Sequence, residues 1–445
     1  MSRGPLDVWL YGTRVARLEE SARAALRLTW TPEAAERWGR GARVLSAKLP
    51  VGDTPVGALV TAYLDGLLPE GNARVNHALS AGVAPDDSLG LVAAFGRDTP
   101  GAAIFVPAGD ADPTAAGHYE ELTRAQVADR LRRADEYQPA SPAGATESST
   151  LPGMVPKVTL HREHGTWFAC KEGAPSTWIL KRATTTGGGV DDVIDTEVAC
   201  LDLARTIGLT TIAAEVVDFG DVRAIAVSRY DRDTTRGNAR LHQEDLAQAL
   251  GLSTADPNRK FQWGSAMPSL RLAADVLRHD GANPDDLLRL VTFSLLVGNT
   301  DMHAKNISFL RHPDGRAALS PAYDIAMHLH HARDNRRSAL DVNGRHRIEE
   351  LTIADVVAEG EGWGLPGRRA LRVVTSTTSA LQAALDGIDR SRHPGVAQGA
   401  WDVLEQRVGS AVADLAARGG KVTIDEPDVE RRPAAPRRRG PRRPR

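Results

Sequence analysis

Two short stretches concentrate most of the residues able to do chemistry: Asn299-Thr300-Asp301-Met302-His303-Ala304-Lys305-Asn306 and Ser320-Pro321-Ala322-Tyr323-Asp324. The first follows directly on the apolar run Leu290 to Val297. Ionisable groups set against a buried segment cost free energy unless they are paired or put to use. Asp301 and Asn306 lie five apart, and Asp324 follows at a distance suited to a second metal-binding aspartate. Carboxylate and amide oxygens are hard ligands that suit Mg2+. In this reading Asp301 accepts the proton of a substrate hydroxyl, while Asn306 and Asp324 hold the metal. The competing reading is a helix end with Asn and Asp as loop caps. His303 either orients Asp301 or is a satisfied core histidine. Lys305 either contacts a transferred phosphate or lies on a solvated face.

Those parts match the needs of phosphoryl transfer: donors over the phosphates, a lysine, metal ligands and a carboxylate for the hydroxyl. The spacing Asp301 to Asn306 is that of the D-x-x-x-x-N catalytic loop of protein kinases. Upstream, the turn Thr150 to Lys157, containing Gly153, Met154 and Val155, is a candidate phosphate-covering loop leading into a strand. One glycine makes a weak signal, and an ordinary β-turn is the alternative. Lys181 ends an apolar strand and Glu197 sits in the next helix, the arrangement that holds the α- and β-phosphates in kinases. A surface ion pair of little energetic consequence is the alternative there.

The elements that must position these groups are legible in outline. Leu6 to Ala16 reads as a hairpin turning at Tyr11-Gly12, and Val56 to Leu68 as a helix. Leu89 to Phe95 and Ala102 to Pro107 are apolar segments around the turn Gly96 to Gly101. Thr123-Arg124-Ala125-Gln126 opens a helix through Arg133 with a capping box. Pro139 to Thr150 reads as a flexible connector. Strands are expected at 157–160, 167–170, 178–181, 213–219 and 223–230, with a helix over 191–207. From about Asp245 the pattern is mainly helical. The expected organisation is an N-terminal α/β unit (1–110), a helix and connector (111–148), a strand-rich lobe (149–230), a helical lobe (231–425) and a disordered Pro/Arg-rich tail (426–445). The fold class is α+β, with a cleft between the last two lobes.

Composition bounds the setting. A chain of 445 residues with 42% hydrophobic content can bury a large core. The two cysteines, Cys170 and Cys200, cannot build a disulfide framework, and no apolar run approaches a membrane span. A cytoplasmic protein with no membrane segment is the expectation. The net charge of −2 hides eight arginines between Arg431 and Arg445; without them the 57 acids clearly outnumber the bases. The body is therefore not a general nucleic-acid binder, while the tail has the charge for a salt-dependent phosphate contact.

With these residues in view, the chain resembles the HipA family of serine/threonine kinase toxins, found in bacterial toxin–antitoxin pairs. Asn299 to Asn306 matches N-T-D-x-H-x-K-N, and Ala322-Tyr323-Asp324-Ile325 the second metal motif. Arg229-Tyr230-Asp231-Arg232 resembles the R-[FY]-D-R after the hinge, and Gln243-Glu244-Asp245-Leu246 the Q-E-D helix start. Val8 to Gly12 and Leu67-Leu68-Pro69-Glu70-Gly71 resemble the family's opening strand and L-L-P-E-G. The resemblance implies a kinase-like two-lobed fold with an added N-terminal subdomain and an all-helical C-lobe. It implies ATP and Mg2+, with Lys157 and Lys181 toward phosphates and a hinge at Val227 to Tyr230. Ser228 stands where many members have glutamate, so adenine recognition would rest on backbone groups near Ser228 and Tyr230. The implied substrate is a protein, an aminoacyl-tRNA synthetase in known members, whose modification halts translation and promotes growth arrest. The implied partner is a small helix-turn-helix antitoxin through which DNA is reached indirectly. The family also autophosphorylates its phosphate-covering loop, S-x-x-G-x-Q-x-K. Here Thr150 stands at the serine, Ser148 and Ser149 precede it, and Val155 replaces the glutamine. That departure motivates an alternative, a degenerate kinase acting as a binding module or co-regulator with the antitoxin.

Overall fold

The computed structural model describes residues 4–418 apart from 22–24, 111–112, 114–116, 135–156, 184–191, 263–266 and 332–335. The sequence readings at Ser148 to Val155 and in the Arg-rich tail lie outside the described residues.

Strands β1 (Leu6–Leu10) and β2 (Thr13–Glu20) form the expected hairpin. Tyr11 and Gly12 between them take φ of 52° and 73°, the left-handed pair that a two-residue turn requires to match strand twist. Strand β3 (Leu26–Trp30), helices α1 (Pro32–Trp38), α2 (Gly57–Leu67), α3 (Gly71–Ala81) and α4 (Ser88–Phe95), and strand β4 (Ile104–Pro107) complete the N-terminal unit. Its sheet runs β3-β2-β1-β4. Val8, Leu18, Leu64 and Phe105 pack in one core of its own.

The second unit begins earlier than the sequence suggested. Strand β5 (His118–Leu122) and helix α5 (Arg124–Arg133) fall in the stretch read as helix plus connector. Strand β5 joins β6 (Lys157–Glu163), β7 (Thr166–Lys171), β8 (Trp178–Arg182), β9 (Ala214–Phe219) and β10 (Val222–Ser228) in a six-stranded antiparallel sheet, and α5 packs against it. The order is β5-β7-β6-β8-β10-β9. The sequence His-Tyr-Glu-Glu-Leu of β5 has no apolar alternation because it is a largely exposed edge strand. The capping box at Thr123 and Gln126 is present. Strand alternation then sets two faces. Ala224 and Ala226 meet Val127 and Leu131 of α5. Ile225 and Val227 meet Ile194, Val198 and Leu201 of α6 (Val193–Thr206).

The third unit has a helical core and is not purely helical. Two short strands, β11 (Arg232–Asp233) and β12 (Ala239–Arg240), pair after the hinge. Strand β13 (His242–Asp245) leads into α7 (Leu246–Leu250), followed by α8 (Leu270–His279) and α9 (Asp285–Val297). Strands β14 (Ser308–Arg311) and β15 (Ala317–Leu319) join β13 in a three-stranded sheet. A second pair is β16 (Arg337–Val342) with β17 (Arg345–Arg347). Helices α10 (Ile353–Gly362), α11 (Gly367–Gly387) and α12 (Gln398–Ala417) complete the lobe. These strands carry no alternation to announce them, and His-Gln-Glu-Asp pairs with β14 some 65 residues away, so the pairing is fixed by tertiary context. Helices α8, α9, α11 and α12 supply the largest core, with Phe293, Trp363 and Trp401. Among the described residues no helix is long and apolar enough to cross a membrane.

Candidate active site

Register decides which side chains the sheet presents to the cleft. Lys181 of β8 pairs with Ile225 on one side and with Lys157 on the other. Directly opposed residues of antiparallel strands share a face. Ile225 packs on α6, so both lysines lie on the α6 face. There the Lys181 Nζ meets Glu197 of α6, at 2.9 Å from Oε1 and 3.1 Å from Oε2. The same ammonium donates to the Oδ1 of Asp324, 143 residues away in the helical lobe. One cation thus joins strand, helix and the second aspartate. Burial works against the charge of Lys181, and the flanking carboxylates of Asp324 and Glu197 outweigh it, holding the ammonium above the usual lysine range. Burial also opposes ionisation of Asp324, but Lys181 and then Lys157 hold it well below the usual carboxylate range. Glu197 moves upward, because burial outweighs the attraction of Lys181. Lys157 is pushed down to about 8 by burial and by the charge of Lys181.

The opposite wall is the loop after α9. Gly298 ends that helix at φ 75°, and a Cβ there would meet the Leu329 Cγ at 2.9 Å. Glycine is the residue that fits such a left-handed cap. The Asn299 side chain accepts from the Asp301 N–H at 3.1 Å, and the Asn306 Nδ2 donates to the Asp301 carbonyl at 2.9 Å. The amide of Asn306 therefore closes its own loop and leaves its Oδ1 for a cation. The Asp301 side chain remains 51% exposed. Protein crowds it on most sides even so, as at the floor of a cleft. That crowding, with the nearby charge of Asp324, pushes its pKa up to about 7. Asp324 itself takes φ +54°, a conformation costly for most side chains and concentrated at functional sites. Tyr323 anchors it: its hydroxyl donates to the Lys305 carbonyl at 2.7 Å and pairs with the Ser308 hydroxyl at 2.6 Å.

Two of the catalytic expectations are corrected. His303 does not hydrogen-bond to Asp301, since its Nε2 lies 4.0 Å from the nearest carboxylate oxygen. It is buried edge-on to Phe261, and burial and the charge of Lys260 push its pKa down to about 3. It is a neutral packing residue. Lys305 is neither on a solvated face nor free to reach a phosphate. Its side chain is 3% exposed and faces Glu70 at 3.5 Å and Asp245 at 3.4 Å. Lys260 joins Glu70 at 2.9 Å. The cluster thus fastens the catalytic loop to the Leu-Leu-Pro-Glu-Gly and Gln-Glu-Asp segments. Sequence reading missed Lys260, for which no local signal exists, and assigned Glu70 and Asp245 only to motifs.

At the hinge, the Ser228 hydroxyl accepts from the Ala213 N–H at 2.8 Å, so it holds β9 to β10. The Tyr230 ring lies 5.3 Å from that of Tyr323, and its hydroxyl donates to Gln243. Tyr230 is thus a post between hinge and helical lobe. Arg229, Asp231 and Arg232 form a buried network around Asp98 of the N-terminal unit, with Arg232 at 2.9 Å and the Ser176 hydroxyl at 2.6 Å.

Comparison with known proteins agrees with this arrangement. A family model described as the HipA-like C-terminal domain matches residues 149–385, more than half of the chain. A second, the HipA N-terminal domain, matches residues 6–106. The chain belongs to the HipA family. The serine/threonine-protein kinase toxin HipA of Shewanella oneidensis is 27% identical over 363 residues, 78% of this chain and 81% of that protein. Y4mE of Sinorhizobium fredii is 29% identical over 404 residues, 86% of this chain and 92% of that protein. The solved Shewanella oneidensis HipA, in complex with HipB and its operator DNA, superposes with a TM-score of 0.74 at 22% identity, covering 92% of this chain and 99% of that one. The HipA fold therefore extends over all three units described above.

Proposed function

We propose that this HipA-family chain is an ATP-dependent serine/threonine protein kinase and acts as a toxin. The observation that carries the reading is the bridge from Lys181 to both Glu197 and Asp324, which draws the strand-rich and helical walls onto one cleft. The donor set fits the implied group: Asp324 and the Asn306 Oδ1 are hard oxygen ligands for Mg2+. Lys157 and Lys181 stand side by side on neighbouring strands as cations for a polyphosphate. Bound Mg2+ and ATP supply the phosphoryl group and neutralise its developing charge.

The chain's own residues do the rest. Glu197 and Asp324 hold Lys181 in one orientation, so its ammonium meets phosphate oxygens without a search through rotamers. Asp301, at the open floor, accepts the proton of a serine or threonine hydroxyl. Its raised pKa matches a base working near neutral pH. Asn306 fixes the Asp301 backbone and so the distance between base and metal ligand. By the family relationship, the substrate is a protein such as an aminoacyl-tRNA synthetase, and the partner a small HipB-like antitoxin that carries the complex to DNA. Self-inactivation falls to Thr150, Ser149 or Ser148. Mass spectrometry after incubation with Mg-ATP tests the last point: phosphate on one of these three is expected, and phosphate only elsewhere would reject that assignment.

A further inference from the structure

Asp192 precedes α6 at its N-cap position yet makes no side-chain cap to the helix. An aspartate there ordinarily accepts from the first-turn N–H groups. Its carboxylate is turned instead to two histidines that follow Asp324. The His330 Nε2 lies 2.9 Å from Oδ2 and the His331 Nε2 2.7 Å from Oδ1. The Ala397 N–H, before α12, donates to Oδ2 at 3.2 Å. The side chains of Asp192, His330 and His331 are 13%, 9% and 4% exposed, so the three groups meet largely out of water. One ligand atom from each can be chosen so that all lie within 4.8 Å of one another. Its carboxylate oxygens thus stand beside two imidazole nitrogens. Two histidines and one carboxylate, with a fourth position open, are the ligand set of open zinc sites. Nothing in phosphoryl transfer requires these three residues, and Mg2+, which favours oxygen ligands, would not select them.

We propose that Asp192, His330 and His331 form a binding site for one zinc-type divalent cation that fastens the start of α6 to the segment following Asp324. The location gives the ion a consequence. Glu197 lies five residues into the chain from Asp192, about 7.5 Å along a helix axis at 1.5 Å per residue. His330 lies six residues beyond Asp324 in sequence. A cation at this point ties together the two segments that meet at Lys181. That consequence rests on the kinase reading, whereas cation binding does not.

The test uses the full-length chain without an added histidine tag, stripped of metal and titrated calorimetrically with Zn2+ in excess Mg2+. The excess Mg2+ serves to fill the proposed oxygen site at Asn306 and Asp324, so that Zn2+ is not counted there. One equivalent of Zn2+ is expected for the wild type, with affinity at least tenfold weaker in His330→Gln and in His331→Gln. His279→Gln, exposed and remote, should match the wild type. Titrations unchanged in both ligand variants, or no Zn2+ bound by the wild type, would overturn the proposal. Co2+-loaded wild type gives a readout that needs no variant to fold. Visible bands of tetrahedral intensity are expected, and a spectrum of octahedral aqueous Co2+ alone would contradict the site.

Discussion

At the residue scale, the proposed chemistry turns on one carboxylate, Asp301, whose pKa burial and then Asp324 push up to about 7. The sign of the pH dependence follows. As the proposed base, Asp301 would work when ionised, so kcat/KM is expected to rise with pH through an acid limb near 7. Stability runs the other way. A carboxyl with a raised folded pKa holds a proton that the unfolded chain releases near 3.9. Its contribution is present below that value and is lost as pH rises through about 7. Since the side chain is half exposed, solvent screening keeps this contribution small. Denaturant unfolding at pH 5 and pH 8 checks it: the wild type should lose stability relative to Asp301→Asn between the two. A parallel response of both proteins would show that Asp301 titrates normally. The identity and spacing of Asp301, Asn306 and Asp324 were legible because a loop's own sequence sets them. The roles of His303 and Lys305 were not, because both depend on partners from elsewhere in the chain.

At the scale of elements, local rules account well for what was read correctly. The capping box at Thr123, the strand carrying Lys181 and the helix within Val56 to Leu68 are each written within a few residues. Strands β5 and β13 were missed because an exposed edge and a polar run give no alternation to read. Lys305 shows what the elements add. It joins the catalytic loop to Glu70 and Asp245, which are 235 and 60 residues away in sequence. Removing this buried cation leaves Lys260 on Glu70 but strands Asp245, at a cost of about 3–5 kcal/mol. Lys305→Met is therefore expected to lower unfolding free energy by about that amount in urea titrations. A phosphate-contacting lysine would behave otherwise: the variant would keep its stability and raise the KM for ATP.

At the scale of the whole molecule, the three units are joined by buried charge. Asp98 from the N-terminal unit contacts Arg232 at 2.9 Å, and Arg229 and Arg240 at 3.5 Å each. In the sequence it looked like one residue of a turn, because its arginine partners lie more than 130 positions away. Burial opposes its ionisation, but the arginines Arg229, Arg232 and Arg240 prevail and hold its pKa below the usual value. Its stabilisation is therefore present at neutral pH and lost as pH falls through that lowered pKa. Asp98→Ala leaves Arg229, Arg232 and Arg240 to share Asp231 and is expected to cost about 3–5 kcal/mol at neutral pH. Calorimetry should show the N-terminal unit melting separately from the lobes in that variant, whereas a single unshifted transition would contradict a linking role. Whether these units assemble one phosphoryl-transfer site is read most directly from transfer of label from ATP carrying it in the γ-phosphate. The purified wild type should incorporate label into protein in the presence of Mg2+, and Asp301→Ala should lower the rate by roughly 10²–10⁴-fold while remaining folded. Equal labelling of the two proteins would show that Asp301 is not the base of this site.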